Sequence, residues 1–457
     1  MYVKNVDVST LCICKMLMCG EVPMLNRKIY GELVEWKNQK DKKCLIIKGA
    51  RQVGKTYAIR TFGEKNYSEV VEINFKETPS MLEAFSGDLD VDTLVLALRF
   101  RFPEKKISPE STLIFFDEIQ ECPEAITSLK FWTDDSRFDV IASGSMLGID
   151  YNRPSSYPVG YVEYKKMYGL DFEEFLWALG VSEEMISGLD NLFKERKAVP
   201  DAIHSQMMKY FRLYASLGGM PEVVQKYIET KDFREVDKIQ KQLLEGYIYD
   251  IAHYATAEEK LKAEKCFSSL SRQLLDKENH KFQYKEIEKG ARAQKYYSSI
   301  EWLTKADIIH LCKTVTDIKY DLDDYARHDF FRAYTNDLSL LIPMKDFSLK
   351  QHITENTLSG NTKGGLYECV IADILIKKGY KIYFYKNETT RKELDFIIQK
   401  DGEVIPIEVK SGNTKSYSLN QFVKKGTVSK AYKLIDGNVG ENEDGIVSMP
   451  LYMAMFL

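Results

Sequence analysis

The chain has 457 residues, 44% of them hydrophobic and 29% charged, with a formal net charge of -4 and a pI near 6.0. That length predicts two to four domains at roughly 150 residues each, and the nearly balanced charge excludes a global nucleic-acid field, so any DNA contact needs a local basic patch. No apolar run approaches the roughly 20 residues of a membrane helix, and neither the cysteines nor the histidines fall into a metal-ligand spacing, which points to a reduced, cytoplasmic chain with no membrane association.

Residues 1–23 read as a dispensable leader. The run Thr10–Gly20 has the flavour of a weak signal core, but it is short, interrupted and preceded by a single lysine. The first domain is expected over 24–175. Cys44-Leu45-Ile46-Ile47 reads as a buried strand that runs into Gly49-Ala50-Arg51-Gln52-Val53-Gly54-Lys55-Thr56, which fits G-x-x-x-x-G-K-[ST] at every fixed position. The glycines let the backbone wrap a β-phosphate with its N–H groups. Lys55 is placed to reach the β- and γ-phosphates, and the Thr56 hydroxyl to ligate Mg²⁺. A helix opening at Thr56-Tyr57 turns its N-terminus to the phosphates. The expected cofactors are therefore ATP and Mg²⁺, held by residues 49–57.

Val70–Phe75 is a second strand. Leu113-Ile114-Phe115-Phe116 is a third, and it ends in the adjacent acids Asp117 and Glu118. A buried parallel strand with acids at its C-terminal edge places them where open α/β sheets bind ligands. Asp117 takes the Mg²⁺ role and Glu118 the polarisation of an attacking water, which favours hydrolysis over transfer. Asp139–Ser145 is a fourth strand with two hydroxyls at its tip. Ser145 is preferred over Ser143 as the group that senses the γ-phosphate or the water.

The next region, 176–345, is expected to be a helical lid followed by a winged-helix-like module. Asp171 and Glu174 form a capping box at its threshold. Leu217-Gly218-Gly219-Met220-Pro221 breaks one helix and starts another. Between 260 and 320 the order of short helices and a strand over 306–312 resembles a winged helix, with Arg292 and Lys295 as candidate DNA contacts.

Residues 346–457 carry a second signature. A helix holds Glu368, a strand begins at Glu393 with Asp395, a tight turn falls at Asp401-Gly402, and the next strand contains Glu408-Val409-Lys410. The period of two puts Glu408 and Lys410 on one face, and the hairpin brings Asp395 beside them. This is the layout of a PD-(D/E)xK phosphodiesterase core: Asp395 and Glu408 on a metal, Lys410 on the water, Glu368 completing the shell. Gln421 on the following helix is a weaker candidate.

With these motifs in order, the chain from about Leu25 resembles AAA+-type P-loop ATPases of bacteria and archaea that carry a C-terminal restriction-endonuclease-like domain of unknown function. The resemblance implies an α/β chain: a parallel P-loop sheet, a helical lid and winged-helix region, then a restriction-endonuclease-like domain. An arginine usual in the family is replaced by Tyr161 after Gly160, which leaves the arginine finger open, with Arg137 and Arg153 as substitutes. Three functions follow as alternatives: a nucleotide-driven switch, an ATP-gated DNA nuclease, and a nucleotide-sensing module that docks a protein partner. DNA, a protein partner and an oligomeric state are all compatible with the pattern.

Overall fold

A computed structural model describes residues 25–145, 158–254, 257–276, 281–387, 392–412, 417–424, 426, 428, 430–441 and 446–457. The leader expected at 1–23 and the candidate Arg153 lie outside these residues. The described chain divides into two compact units, one of residues 26–169 and 305–307, the other of residues 170–304 and 308–457.

The first unit is built on five parallel strands: β1 (Cys44–Lys48), β2 (Glu69–Asn74), β3 (Thr112–Asp117), β4 (Asp139–Gly144) and β5 (Val162–Lys166). Their order is β2-β3-β4-β1-β5, so β4 separates the P-loop strand from the strand that carries the acids. The centre of this sheet is dry on both faces, which is why β1 and β3 are nearly continuous apolar runs. One face is filled by an aromatic chain from Phe75 through Phe85, Phe116 and Trp132 to Phe138, with neighbouring rings 5.3–6.2 Å apart and largely edge-to-face. The four strands expected here from sequence fall within one or two residues of their places.

The second unit opens with helices Phe172–Ala178, Glu183–Glu195, Asp201–Leu217, Pro221–Thr230 and Phe233–Tyr254. The capping box at Asp171 and Glu174 is formed with both of its hydrogen bonds, and Pro221 occupies the first turn of its helix as expected. The rest of the unit carries an eight-stranded mixed sheet: β6 (Ile309–Val315), β7 (Ala326–Thr335), β8 (Tyr383–Lys386), β9 (Glu393–Lys400), β10 (Glu403–Lys410), β11 (Tyr432–Ile435), β12 (Gly440–Glu441) and β13 (Val447–Pro450). Their order is β12-β13-β11-β10-β9-β8-β6-β7. The helix Gly360–Lys377 packs on β10 and β7.

That order places the region of the winged-helix expectation in a wider sheet. The strand foreseen over 306–312 forms as β6, but its neighbours are β7 on one side and β8 on the other. It belongs to the sheet of the Asp395–Glu408 hairpin, and the sheet draws strands from both sides of the boundary expected at 345/346. Lys295, a candidate DNA contact, is engaged with Glu288 at 2.5 Å. Among the described residues no helix is long and apolar enough to cross a membrane. The described cysteines, Cys44, Cys122, Cys266, Cys312 and Cys369, are free and buried.

Candidate nucleotide site and a second carboxylate centre

The loop after β1 makes a tight arch. Gln52 and Gly54 both have positive φ, 63° and 94°, and Gly54 leads directly into the helix Lys55–Asn66. Gly49 is required by close approach: a Cβ there would stand 2.1 Å from the Met167 carbonyl oxygen. Lys55 is buried and donates to the carbonyls of Gly49 at 2.9 Å and Ala50 at 2.7 Å, so its ammonium lies within the arch. Burial pushes its pKa down to about 8, against the pull of Glu118 and Asp117.

The acids stand at the same sheet edge. Asp117 ends β3, is 3% exposed, and accepts from the Thr56 hydroxyl at 2.9 Å and the Asn74 amide at 3.3 Å. Its other oxygen accepts a short hydrogen bond from the Ser143 hydroxyl at the end of β4. Burial raises the Asp117 carboxyl above its ordinary range, and the Ser143 and Thr56 hydroxyls oppose the rise. Thr56 and Asp117 thus present two hard oxygen donors at one point, the donor chemistry of a Mg²⁺ site that keeps most of its waters. Glu118 sits in the left-handed region, φ 52°, and accepts from the Gln120 amide. Ser145 Oγ is buried and finds no hydrogen-bond partner among the described residues. Of the two hydroxyls at the tip of β4, it is therefore Ser143 that engages Asp117. Arg137 lies two residues before β4, at the opposite end of that strand, where it pairs with Asp135 and Asp92. Within its own chain it is remote from this edge.

In the second unit the turn at Asp401-Gly402, both with positive φ, closes the β9–β10 hairpin. Phe396 pairs with Ile407, which sets Asp395 beside Glu408. Asp395 Oδ2 accepts from the Val409 amide at 2.8 Å. Lys410 Nζ is 2.6 Å from Glu408 Oε1 and 3.9 Å from Asp395 Oδ2. Burial, then Glu408 and Glu368, holds the Asp395 carboxyl well above the usual carboxylate range. Burial also raises Glu408, with Lys410 opposing. Burial would lower the Lys410 ammonium, but Asp395 and Glu408 outweigh it and keep it above its ordinary value.

Glu368 stands close enough to raise both acids and has an arginine of its own. It is bound at 3.0 Å by Arg332 of β7, whose guanidinium also reaches Glu393 at 2.7 Å and the Asp395 carbonyl at 3.2 Å. Glu408 Oε2 is buried and finds no partner among the described residues. Two crowded carboxylates with an orphaned oxygen fit one divalent cation bound largely through water. Among the described residues, however, no group of three or more His, Cys, Asp or Glu is arranged to hold a metal ion. Gln421 is exposed.

The arch, its lysine and the Thr56–Asp117 pair at one edge of a five-stranded parallel sheet fall within the span matched by a family model. Residues 41–176 match an AAA domain. The N-terminal unit carries an AAA domain of P-loop type. Residues 208–351 and 363–452 match two domains of unknown function, DUF8612 and DUF4143. Among solved structures, the chain is similar to AMPPCP-bound DnaA from Aquifex aeolicus at 12% identity and a TM-score of 0.30, over 63% of this chain and 89% of that one. It is also similar to the Aeropyrum pernix ORC1 protein in complex with DNA, at 11% identity and a TM-score of 0.28 over 74% and 94%. Cdc6p from Pyrobaculum aerophilum follows at 13% and 0.25 over 74% and 97%. No curated protein matches the chain.

Two residues near these centres escape a reading of the sequence. Asn74 closes β2 beside Asp117 and could have been flagged as a polar residue at the tip of a strand neighbouring the AAA domain's acids. Arg332 has no such signal. It stands 36 residues before Glu368 in a stretch with no motif, and only the order of the sheet brings it to the carboxylates.

Proposed function

We propose that this chain is an ATP-binding, ATP-hydrolysing switch whose nucleotide state acts on a C-terminal nuclease-like domain. The observation that carries the reading is the convergence of Thr56, Asp117 and Ser143 at the C-terminal edge of the sheet beside the Lys55 arch. N–H groups of residues 49–56 hold the β-phosphate, and Lys55 exchanges its loop carbonyls for β- and γ-phosphate oxygens. Thr56 and Asp117 hold Mg²⁺, which draws charge from the phosphate oxygens when bound. Glu118 orients and polarises the attacking water. Ser143 keeps Asp117 aimed at the metal, and Ser145, with an unused buried hydroxyl, serves as the sensor of the γ-phosphate. The free, buried cysteines suit a cytoplasmic protein.

Steady-state ATPase assays test this. Lys55→Ala abolishes turnover through lost binding. Glu118→Gln retains ATP affinity and loses turnover by on the order of 10²-fold or more. Unchanged turnover in both variants removes the assignment.

A second reading, an ATP-gated DNA nuclease with a restriction-endonuclease-like core, is favoured by the orphaned Glu408 Oε2 next to Asp395 and Lys410. Plasmid incubated with the protein, ATP and Mn²⁺ is cut, and Asp395→Ala stops the cutting. If intact protein never cuts but retains a protein on nucleotide-dependent pull-down, the domain is a docking module. DNA, a protein partner and further copies of the chain are the partners these readings imply.

A further inference from the structure

Arg27 precedes the first described helix, Ile29–Lys37, and belongs to no motif. It is nevertheless 7% exposed, and its guanidinium forks. Nη1 donates to the Val53 carbonyl at 3.0 Å, and Nη2 donates to the Tyr168 carbonyl at 2.6 Å. All three residues lie in the nucleotide-binding unit. Val53 is the last residue before Gly54, so its carbonyl belongs to the peptide at the crown of the arch.

A trans peptide is planar, and its C=O and N–H point in opposite directions. A guanidinium that holds the Val53 oxygen on the outer side therefore turns the Gly54 N–H to the inner side, where the β-phosphate is wrapped. The same side chain fixes the segment that presses on the loop. Tyr168 follows Met167, whose amide donates to Lys48 at 2.8 Å and whose oxygen leaves Gly49 no room for a Cβ. One planar cation thus spans the crown of the arch and the strand end against its base. A charged, bidentate donor is suited to this, because it fixes orientation as well as distance.

We infer that Arg27 is a positioning residue for the nucleotide: it presets the Val53–Gly54 peptide so that the Gly54 N–H faces the phosphates before they arrive. The inference rests on the reading of residues 49–56 as the phosphate cradle. Arg27 touches no reacting atom, so its loss weakens binding more than the chemical step.

The test measures the Kd of a fluorescent ADP analogue, with KM and kcat for ATP, in wild type, Arg27→Ala and Arg27→Lys. In Arg27→Ala, Kd and KM rise about tenfold, as expected for a lost hydrogen-bonding cation, while kcat at saturating ATP changes by less than about threefold. Added guanidinium restores the affinity of Arg27→Ala, and methylammonium does not. Arg27→Lys keeps the charge but replaces the rigid planar fork with a single ammonium on a flexible stem, so it folds and binds more weakly than wild type. It carries the test if Arg27→Ala fails to fold. Wild-type affinity in a folded Arg27→Lys and in Arg27→Ala overturns the inference. So does weakened binding that guanidinium cannot restore. A wild-type protein that binds no nucleotide is a different failure, since it removes the cradle itself.

Discussion

A guanidinium shut off from water must be paired where it lies, and Arg332 is paired to Glu368, Glu393 and the Asp395 carbonyl while stacking 4.6 Å from the centre of the Phe384 ring. Its surroundings are acidic enough to hold its pKa well above the ordinary arginine value in spite of burial. The residue is a counter-charge for a cluster of carboxylates that would otherwise repel one another. Replacing it by methionine removes the most deeply buried counter-charge of the cluster and leaves Lys386 and Lys410 as the cations there, which costs about 3–5 kcal/mol, and urea unfolding of Arg332→Met against wild type reads that loss directly. A variant as stable as wild type would show that the carboxylates are neutral without their arginine. Glu408 and Lys410 were legible in the sequence because strand periodicity alone puts them on one face. Arg332 was not, because its proximity depends on β7 lying in the same sheet as a hairpin more than 60 residues away.

The helix Gly360–Lys377 ends in a buried polar knot that explains several otherwise unrelated motifs. Lys377 Nζ donates to Asp337 at 2.6 Å, to Tyr214 at 3.0 Å and to the Leu170 carbonyl at 3.2 Å, and lies 3.1 Å from Asp373. Gly219 closes the knot from another side. Its amide donates to Asp337, and a Cβ there would fall 2.0 Å from the Leu170 oxygen. The Gly-Gly-Met-Pro break thus marks a close approach as well as a helix stop.

Burial pushes the Asp373 carboxyl up to about 7, with Asp337 adding to the rise and Lys377 and Tyr214 opposing it. The folded state therefore holds a proton that the unfolded chain releases near the ordinary aspartate value of 3.8. This contribution to stability is complete below about pH 4 and is lost as pH rises through about 7, by roughly 4 kcal/mol at most. Asp373→Asn flattens that slope in denaturant titrations between pH 4 and 8; an unchanged slope places the proton elsewhere. At this scale the sequence was informative wherever an element is defined by its own residues, as in β1, β3, the capping box and the β9–β10 hairpin. It was incomplete at β6, where a short strand after short helices reads locally as a wing: the partner β7 follows in sequence, but the second neighbour β8 begins only at Tyr383, and no local pattern records a pairing that distant.

On the scale of the whole molecule, the two units differ in how they draw on the chain. The unit with the P-loop sheet is contiguous but for residues 305–307, whereas the sheet of the other unit needs β6 and β7 from before the helix Gly360–Lys377 and the remaining strands from after it. A fragment starting at residue 346 leaves β8 without β6 and bares a row of backbone donors and acceptors on that edge. Such a fragment is expected to aggregate on size-exclusion chromatography, while residues 170–457 stay soluble. A monodisperse 346–457 fragment would show that β6 and β7 are dispensable.

The same interleaving sets a schedule on the ribosome. The P-loop sheet has all its strands once Lys166 has emerged. The β6–β7 pair, by contrast, waits for the 51 residues from Asn336 to Lys386 before β8 can cover its open side, roughly 3–10 s at ordinary rates of synthesis. During that interval the nascent chain exposes one unguarded strand, and it is there that a chaperone would find its grip.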